Sequence, residues 1–128
     1  MDGSKSVLLV EDDPNISDIY RKALKKAGIK VHHAQNGNDA LDQFLKHQPE
    51  LVLLDVMIPE KTGIEVLRIL RTEKKYNAKE TVIIILSNVS AQVVEQAAKD
   101  YNADGYVLKV AILPEELVTL VNGYLKEA

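Results

Sequence analysis

Five short apolar runs alternate with helix-patterned segments along this chain, and that alternation restricts its possible folds more than any other feature. The runs are SVLLV (residues 6 to 10), KVHHA (30 to 34), ELVLLD (50 to 55), TVIIILS (81 to 87) and DGYVLK (104 to 109). The third and fourth are apolar almost throughout, as strands covered on both faces are. Ile16, Ile19, Tyr20, Ala23, Leu24 and Ala27 keep the i, i+3, i+4 spacing of an amphipathic helix. Asp13 and Pro14 suit its start and Gly28 its end. Thr62 with Glu65 makes a capping box for a third helix carrying Ile64, Leu67 and Leu70. Pro114 opens a fifth with Leu117, Leu120, Val121, Tyr124 and Leu125, and segments 37 to 47 and 90 to 101 supply the second and fourth. Repeated strand then helix predicts an α/β fold, a parallel sheet with helices on both faces, because right-handed crossovers leave few other arrangements.

The 128 residues suit a single domain spanning 1–128, long enough to bury its own core. With 46% hydrophobic and 27% charged residues, the chain is too apolar for intrinsic disorder. It has no cysteine, which excludes a disulfide framework, a thiolate metal site and thiol redox chemistry. MDGSKS leads into only four apolar residues, too few for a signal-peptide core, and no stretch is long enough to cross a bilayer, so the expected location is the cytoplasm. A net charge of −3 without a basic stripe argues against direct nucleic-acid binding and points to protein partners.

In a doubly wound sheet, ligands bind outside the carboxyl ends of the strands. Glu11, Asp12 and Asp13 follow the first strand, Asp55 ends the third, Ser87 the fourth and Lys109 the fifth. Carboxylates gathered at one mouth repel one another unless a cation joins them, and hard oxygen donors with room for water suit Mg²⁺. A hydroxyl and an ammonium beside that ion are groups that hold phosphate oxygens, and an aspartate is a nucleophile able to form an acyl phosphate. Asp55 is therefore a candidate phosphate acceptor.

VLLVEDDP, LVLLDVMIPEKTG, IIILS and GYVLK, in this order and at these separations, resemble the receiver domain of bacterial two-component response regulators over essentially the whole chain. The resemblance implies a flavodoxin-like, five-stranded sheet of order 2-1-3-4-5. It implies a phosphorylation switch rather than a conventional enzyme, with Asp55 receiving a phosphoryl group from a phosphohistidine of a sensor histidine kinase or phosphotransfer protein. Asp12 then corresponds to a direct Mg²⁺ ligand, Glu11 to an acidic partner acting mainly through water, and Met57 to the residue whose backbone carbonyl is a ligand. Ser87 matches the switch hydroxyl, Tyr106 the switch aromatic and Lys109 the phosphate-pairing lysine. Output passes through the face of the fourth helix, fifth strand and fifth helix, in a monomer or a phosphorylation-dependent dimer.

Plainer roles compete with several of these. Asp13 is expected only to cap the first helix. Ser87 has a rival role in a turn, Tyr106 in the core and Lys109 at a solvated surface. His32, His33 and His47 lack metal-ligand spacing and are expected at the surface. Two alternatives remain: a receiver-like docking module that is never phosphorylated, and an aspartate-nucleophile phosphohydrolase of the haloacid dehalogenase type. The latter wants a second aspartate two residues on, where this chain has Met57. A flavodoxin-like electron carrier needs a phosphate loop after the first strand, where EDDP repels an anion. The chain departs from the receiver pattern at Asn88, where alanine or glycine is usual, and at Val110, where proline is usual. A cis bond before valine costs about 3 kcal/mol, so a trans Lys109 to Val110 bond is expected. Apolar Met57 and Val89, which flank the acceptor in receivers, predict a long-lived acyl phosphate.

Overall fold

The computed structural model describes residues 5–58, 61–87, 92–109 and 112–127. Strands and helices alternate as β1 (Ser6–Val10), α1 (Pro14–Lys26), β2 (Lys30–Ala34), α2 (Gly37–His47), β3 (Leu51–Asp55), α3 (Gly63–Thr72), β4 (Val82–Ser87), α4 (Gln92–Asp100), β5 (Gly105–Leu108) and α5 (Pro114–Glu127). An addition to the expected pattern is a 3₁₀ turn over Lys74–Tyr76. The five strands are all parallel, in the order β2-β1-β3-β4-β5.

Strict alternation along the central strands explains why they read as continuous apolar runs. Leu8, Val10, Val52, Leu54, Ile83 and Ile85 face one side and pack with Ala40, Phe44, Val66, Leu67 and Leu70 of α2 and α3. Val7, Leu9, Leu51, Leu53, Ile84 and Leu86 face the other and pack with Tyr20 and Leu24 of α1 and with Leu117, Val121 and Leu125 of α5. Every residue of β3 is buried. Each fully buried Leu or Ile contributes about 2 kcal/mol relative to exposure, so two such layers supply most of the drive to fold.

The helix ends follow their local chemistry. Asp13 accepts from Asn15 N and Ile16 N at the start of α1, the capping role expected of it, and Gly28 beyond its end takes a left-handed φ of 84°. Thr62 and Glu65 form the reciprocal capping box of α3. β5 is shorter than the run 104 to 109 by one residue at each end, and at its start the Asp104 carboxylate accepts from Ile83 N (2.8 Å) and pairs with Arg71 (2.9 Å). The same guanidinium donates to the carbonyls of Thr81 and Asn102, tying α3 to the starts of β4 and β5. Residues 90 and 91 of the expected fourth helix lie outside the described residues. No helix among the described residues is long and apolar enough to cross a membrane.

The three histidines lie at the surface but are half-buried there rather than freely exposed. His32 of the edge strand β2 stacks on His47 of α2, with ring centroids 3.6 Å apart and planes within 10°. Burial first, and then the charges of His47, Lys30 and Lys46, hold His32 below its usual pKa. The folded chain therefore favours neutral His32, whose contribution to stability is complete above the unfolded value near 6.5 and is lost as pH falls through the lower folded value. Thermal melts at pH 7.5 and 5.5 should show a smaller acid-induced loss of Tm in His32→Gln than in wild type. An equal loss in both would remove His32 from the account.

Candidate functional site

The sheet reverses direction of winding between β1 and β3, and the crevice beyond their carboxyl ends is where a ligand fits. Asp55 closes β3 there, and beyond it Val56 N donates across to β4, at Leu86 O (3.1 Å). Only 3% of Asp55 is exposed. One carboxylate oxygen, Oδ1, accepts from the Met57 N–H (3.2 Å), and the other, Oδ2, accepts from Lys109 Nζ (3.2 Å). The same ammonium donates to Glu11 Oε1 at 2.8 Å, and Glu11 Oε2 accepts from Asp13 N at 3.1 Å. A lysine three residues beyond the edge-strand Tyr106 thus bridges the ends of β1 and β3.

These groups line an open cleft of about 360 Å³ together with Asp12, Pro14, Ile16 and Met57. Glu11, Asp12 and Asp55 can bring carboxylate oxygens within 4.8 Å of one another, Asp12 being the exposed member. Three carboxylates against one ammonium leave a formal charge of −2. Burial pushes the Glu11 carboxyl up, opposed by the Lys109 hydrogen bond and the Asp13 N–H, while neighbouring Asp55 adds to the rise. Burial also works against the Lys109 charge, but Glu11 and Asp55 outweigh it, and its pKa is raised. Lys109 is therefore firmly cationic, and the remaining negative charge favours a hard cation. All three donors are oxygen, which suits Mg²⁺ better than a softer metal. Both oxygens of Glu11 and both of Asp55 already accept hydrogen bonds within the protein, whereas among the described residues none reaches the exposed Asp12 carboxylate, so Asp12 is the member freest to bind an ion directly.

Ser87, 1% exposed, closes β4 at the same edge of the sheet, beside β3. Tyr106 does not line the acidic cleft. It packs against the apolar layer under α2 and α3 and borders a separate groove with Val107, Leu108, Ile112, Glu116 and Leu120. Met57 is 74% exposed and borders the cleft. Pro59, Asn88, Val89, Val110 and the bond between Lys109 and Val110 lie outside the described residues.

Three contributors were not singled out in the sequence as parts of the site. His33 Nε2 lies 2.8 Å from the Glu11 carbonyl. Tyr20 of α1, 5% exposed, faces the sheet near enough that Lys109, Glu11 and Asp55 all act on its hydroxyl, whose pKa is raised chiefly by burial. Gly63 opens α3 directly over the end of β3, its N–H donating to Val56 O at 2.9 Å. A Cβ at Gly63 would stand 2.8 Å from Val56 Cα and closer still to the Asp55 carbonyl. The only trace in the sequence is a poor helix former just after the capping Thr62. Gly63→Ala should cost about 1 to 3 kcal/mol as overpacking, measured by urea unfolding, and should shift the Asp55 and Val56 amide signals in an NMR spectrum. Unchanged stability would mean that α3 can slide away from the strand.

Comparison with solved structures finds this architecture in receivers from distant organisms. A receiver domain protein (CheY-like) from Methanospirillum hungatei aligns with TM-score 0.86 at 23% identity, over 98% of this chain and 96% of its own. Chemotaxis protein CheY4 of Vibrio cholerae aligns with TM-score 0.85 at 28% identity, over 94% and 98%. The BeF3-activated N-terminal receiver domain of Klebsiella pneumoniae RstA aligns with TM-score 0.83 at 27% identity, over 94% and 97%. The family model described as the response regulator receiver domain matches residues 7–122. With that match spanning most of the chain and the 2-1-3-4-5 sheet carrying an acidic cleft at its switch point, the chain belongs to the response regulator receiver domain family.

Proposed function

We propose that this receiver is switched by transfer of a phosphoryl group to Asp55 from a phosphohistidine on a sensor histidine kinase or a histidine phosphotransfer protein. The observation that carries the reading is the buried Asp55 carboxylate, held 3.2 Å from Lys109 Nζ with Glu11 and Asp12 alongside. In the transfer, an Asp55 oxygen attacks phosphorus, a P–O bond forms and the P–N bond to the donor imidazole breaks. The bonding pair returns to the imidazole nitrogen. Lys109 offers its ammonium to a phosphoryl oxygen and offsets the charge that gathers there. Ser87, at the neighbouring strand end, supplies a hydroxyl to the same group. Asp12 and Asp55, with Glu11 through water and the Met57 carbonyl, would hold Mg²⁺, which supplies charge neutralisation for the phosphoryl oxygens.

A phosphoryl group on Asp55 ends its present pairing with Lys109 and adds acceptor oxygens; the phosphoryl group carries about −1.5 to −2 but the carboxylate gives up its own single charge, so the net gain is about −0.5 to −1. Moving a two-state equilibrium from about 1:99 to 99:1 takes about 5.5 kcal/mol. Re-pairing of Lys109 and Ser87 is the source of that bias, and Tyr106, bordering the groove between β5 and α5, is the side chain placed to pass it to an output partner on the α4, β5 and α5 face. A phosphohydrolase is disfavoured because Met57, exposed and apolar, stands where its second aspartate is needed.

Incubation with acetyl phosphate and Mg²⁺ should add one phosphate by intact mass. No uptake would favour an unphosphorylated docking module. Calorimetric titration with Mg²⁺ should show far weaker binding for Asp12→Ala than for Asp13→Ala, since Asp13 is committed to the α1 cap. Equal losses would overturn the choice of Asp12 as ligand.

A further inference from the structure

The β1 to β2 ladder ends in a side chain rather than a backbone group. Its last backbone bond runs from Glu11 N to Ala34 O (3.0 Å). In a continuing parallel ladder the next bond would run from Asn36 N to Glu11 O, but Asn36 leaves the sheet to cap α2, its side chain accepting from Asp39 N at 2.7 Å. The Glu11 carbonyl is taken instead by His33 Nε2, at 2.8 Å. A carbonyl can only accept, so Nε2 carries the proton. Half-buried His33 belongs to β2, in register with Leu9, so its backbone is anchored independently of the acidic loop.

This bond fixes the plane of the peptide joining Glu11 to Asp12. Glu11 N is held by Ala34, its carbonyl by His33, and its carboxylate by Lys109 and the Asp13 N–H. Among the described residues no hydrogen bond or ion pair holds the exposed Asp12 carboxylate, so its direction depends on the backbone before it. Rotation of that peptide would swing Asp12 away from Asp55. Groups that orient a ligand from behind typically change metal affinity by about 10- to 100-fold when removed.

We infer that His33 is a positioning residue of the acidic cleft, whose imidazole N–H locks the Glu11 to Asp12 peptide so that the Asp12 carboxylate faces Asp55 across a divalent cation. The inference rests on the reading of this cleft as a Mg²⁺ and phosphoryl site.

Mg²⁺ titration of wild type, His33→Leu, His33→Gln and His33→Asn tests it. Gln carries an N–H at the ε position and can reach the carbonyl, whereas Asn falls short and Leu has no donor. The Kd for Mg²⁺ should rise about tenfold in the Leu and Asn variants and stay near wild type in Gln. Phosphate uptake from acetyl phosphate should be slow in the Leu variant at low Mg²⁺ and recover at saturating Mg²⁺, because the nucleophile itself is untouched. If the Leu variant fails to fold, the contrast between Gln and Asn carries the test. Wild-type affinity in Leu and Asn overturns the role of His33 alone, and a Gln variant as weak as Asn overturns the hydrogen bond as its cause. Wild-type protein that binds no Mg²⁺ overturns the site reading and this inference with it.

Discussion

Asp55→Asn should take up no phosphate from acetyl phosphate and Mg²⁺ under conditions that load the wild type, while its unfolding free energy stays within about 1 kcal/mol of wild type. The amide is nearly isosteric with the carboxylate but lacks the anionic oxygen that attacks phosphorus. Its oxygen can still accept a hydrogen bond, and Lys109 keeps its shorter bond to Glu11 Oε1 at 2.8 Å. The fold therefore has little reason to change. Intact mass with time reads the uptake, and urea unfolding reads the stability. Uptake at the wild-type rate would show that another residue is the acceptor.

Lys109→Met should destabilise the protein by about 2 kcal/mol in EDTA, because Glu11 and Asp55 lose their shared counter-charge in a nearly buried setting. Removing one partner of a fully buried pair costs about 3 to 5 kcal/mol, and the open cleft, with water at Asp12, relieves part of that. The pH dependence has a definite sign. Burial already raises the Glu11 carboxyl, so the fold favours its protonated form, and stability is lost as pH rises through the folded value. Without the Lys109 hydrogen bond that opposes burial, the folded value moves higher still, so the variant should be penalised more at pH 8 than at pH 5. In wild type, the raised Lys109 pKa means that its own contribution is complete below its ordinary 10.5 and fails only in alkali. Mg²⁺ should restore more stability to the variant than it adds to wild type, since the ion replaces the missing charge. Phosphate uptake should fall as well, because the ammonium no longer meets the phosphoryl oxygens. A variant equally stable at both pH values, with no added benefit from Mg²⁺, would show that water already neutralises the pair.

Much of this molecule is legible in short stretches because the controlling interactions are local or periodic. The central strands read as apolar runs since both faces are covered, and the limits of α1 and α3 follow from Asp13, Pro14, Gly28 and the Thr62 with Glu65 box, each acting within four residues of its partner. The residues at the strand ends are equally legible, because successive parallel strands deliver their carboxyl ends to one edge, and so Glu11, Asp12, Asp55, Ser87 and Lys109 stand out from their positions after apolar runs. Their pairing was not visible: Lys109 lies 98 residues from Glu11, and the pairing of β1 with β3, of β3 with β4 and of β4 with β5 is what brings the ammonium to both carboxylates. Gly63 owes its importance to the approach of α3 to the Asp55 carbonyl. The role of His33 depends on where β2 stops pairing with β1, and the surroundings of Tyr106, the layer under α2 and α3 and the groove between β5 and α5, are set by packing that its place in the chain does not show. The sequence by itself determined the elements, their caps and the set of chemically active groups, since these arise from neighbours along the chain. The tertiary structure alone decided which of those groups meet, which backbone must be bare to let them meet and which side chain holds the acidic turn in place, since those depend on distances between segments that the chain order does not contain.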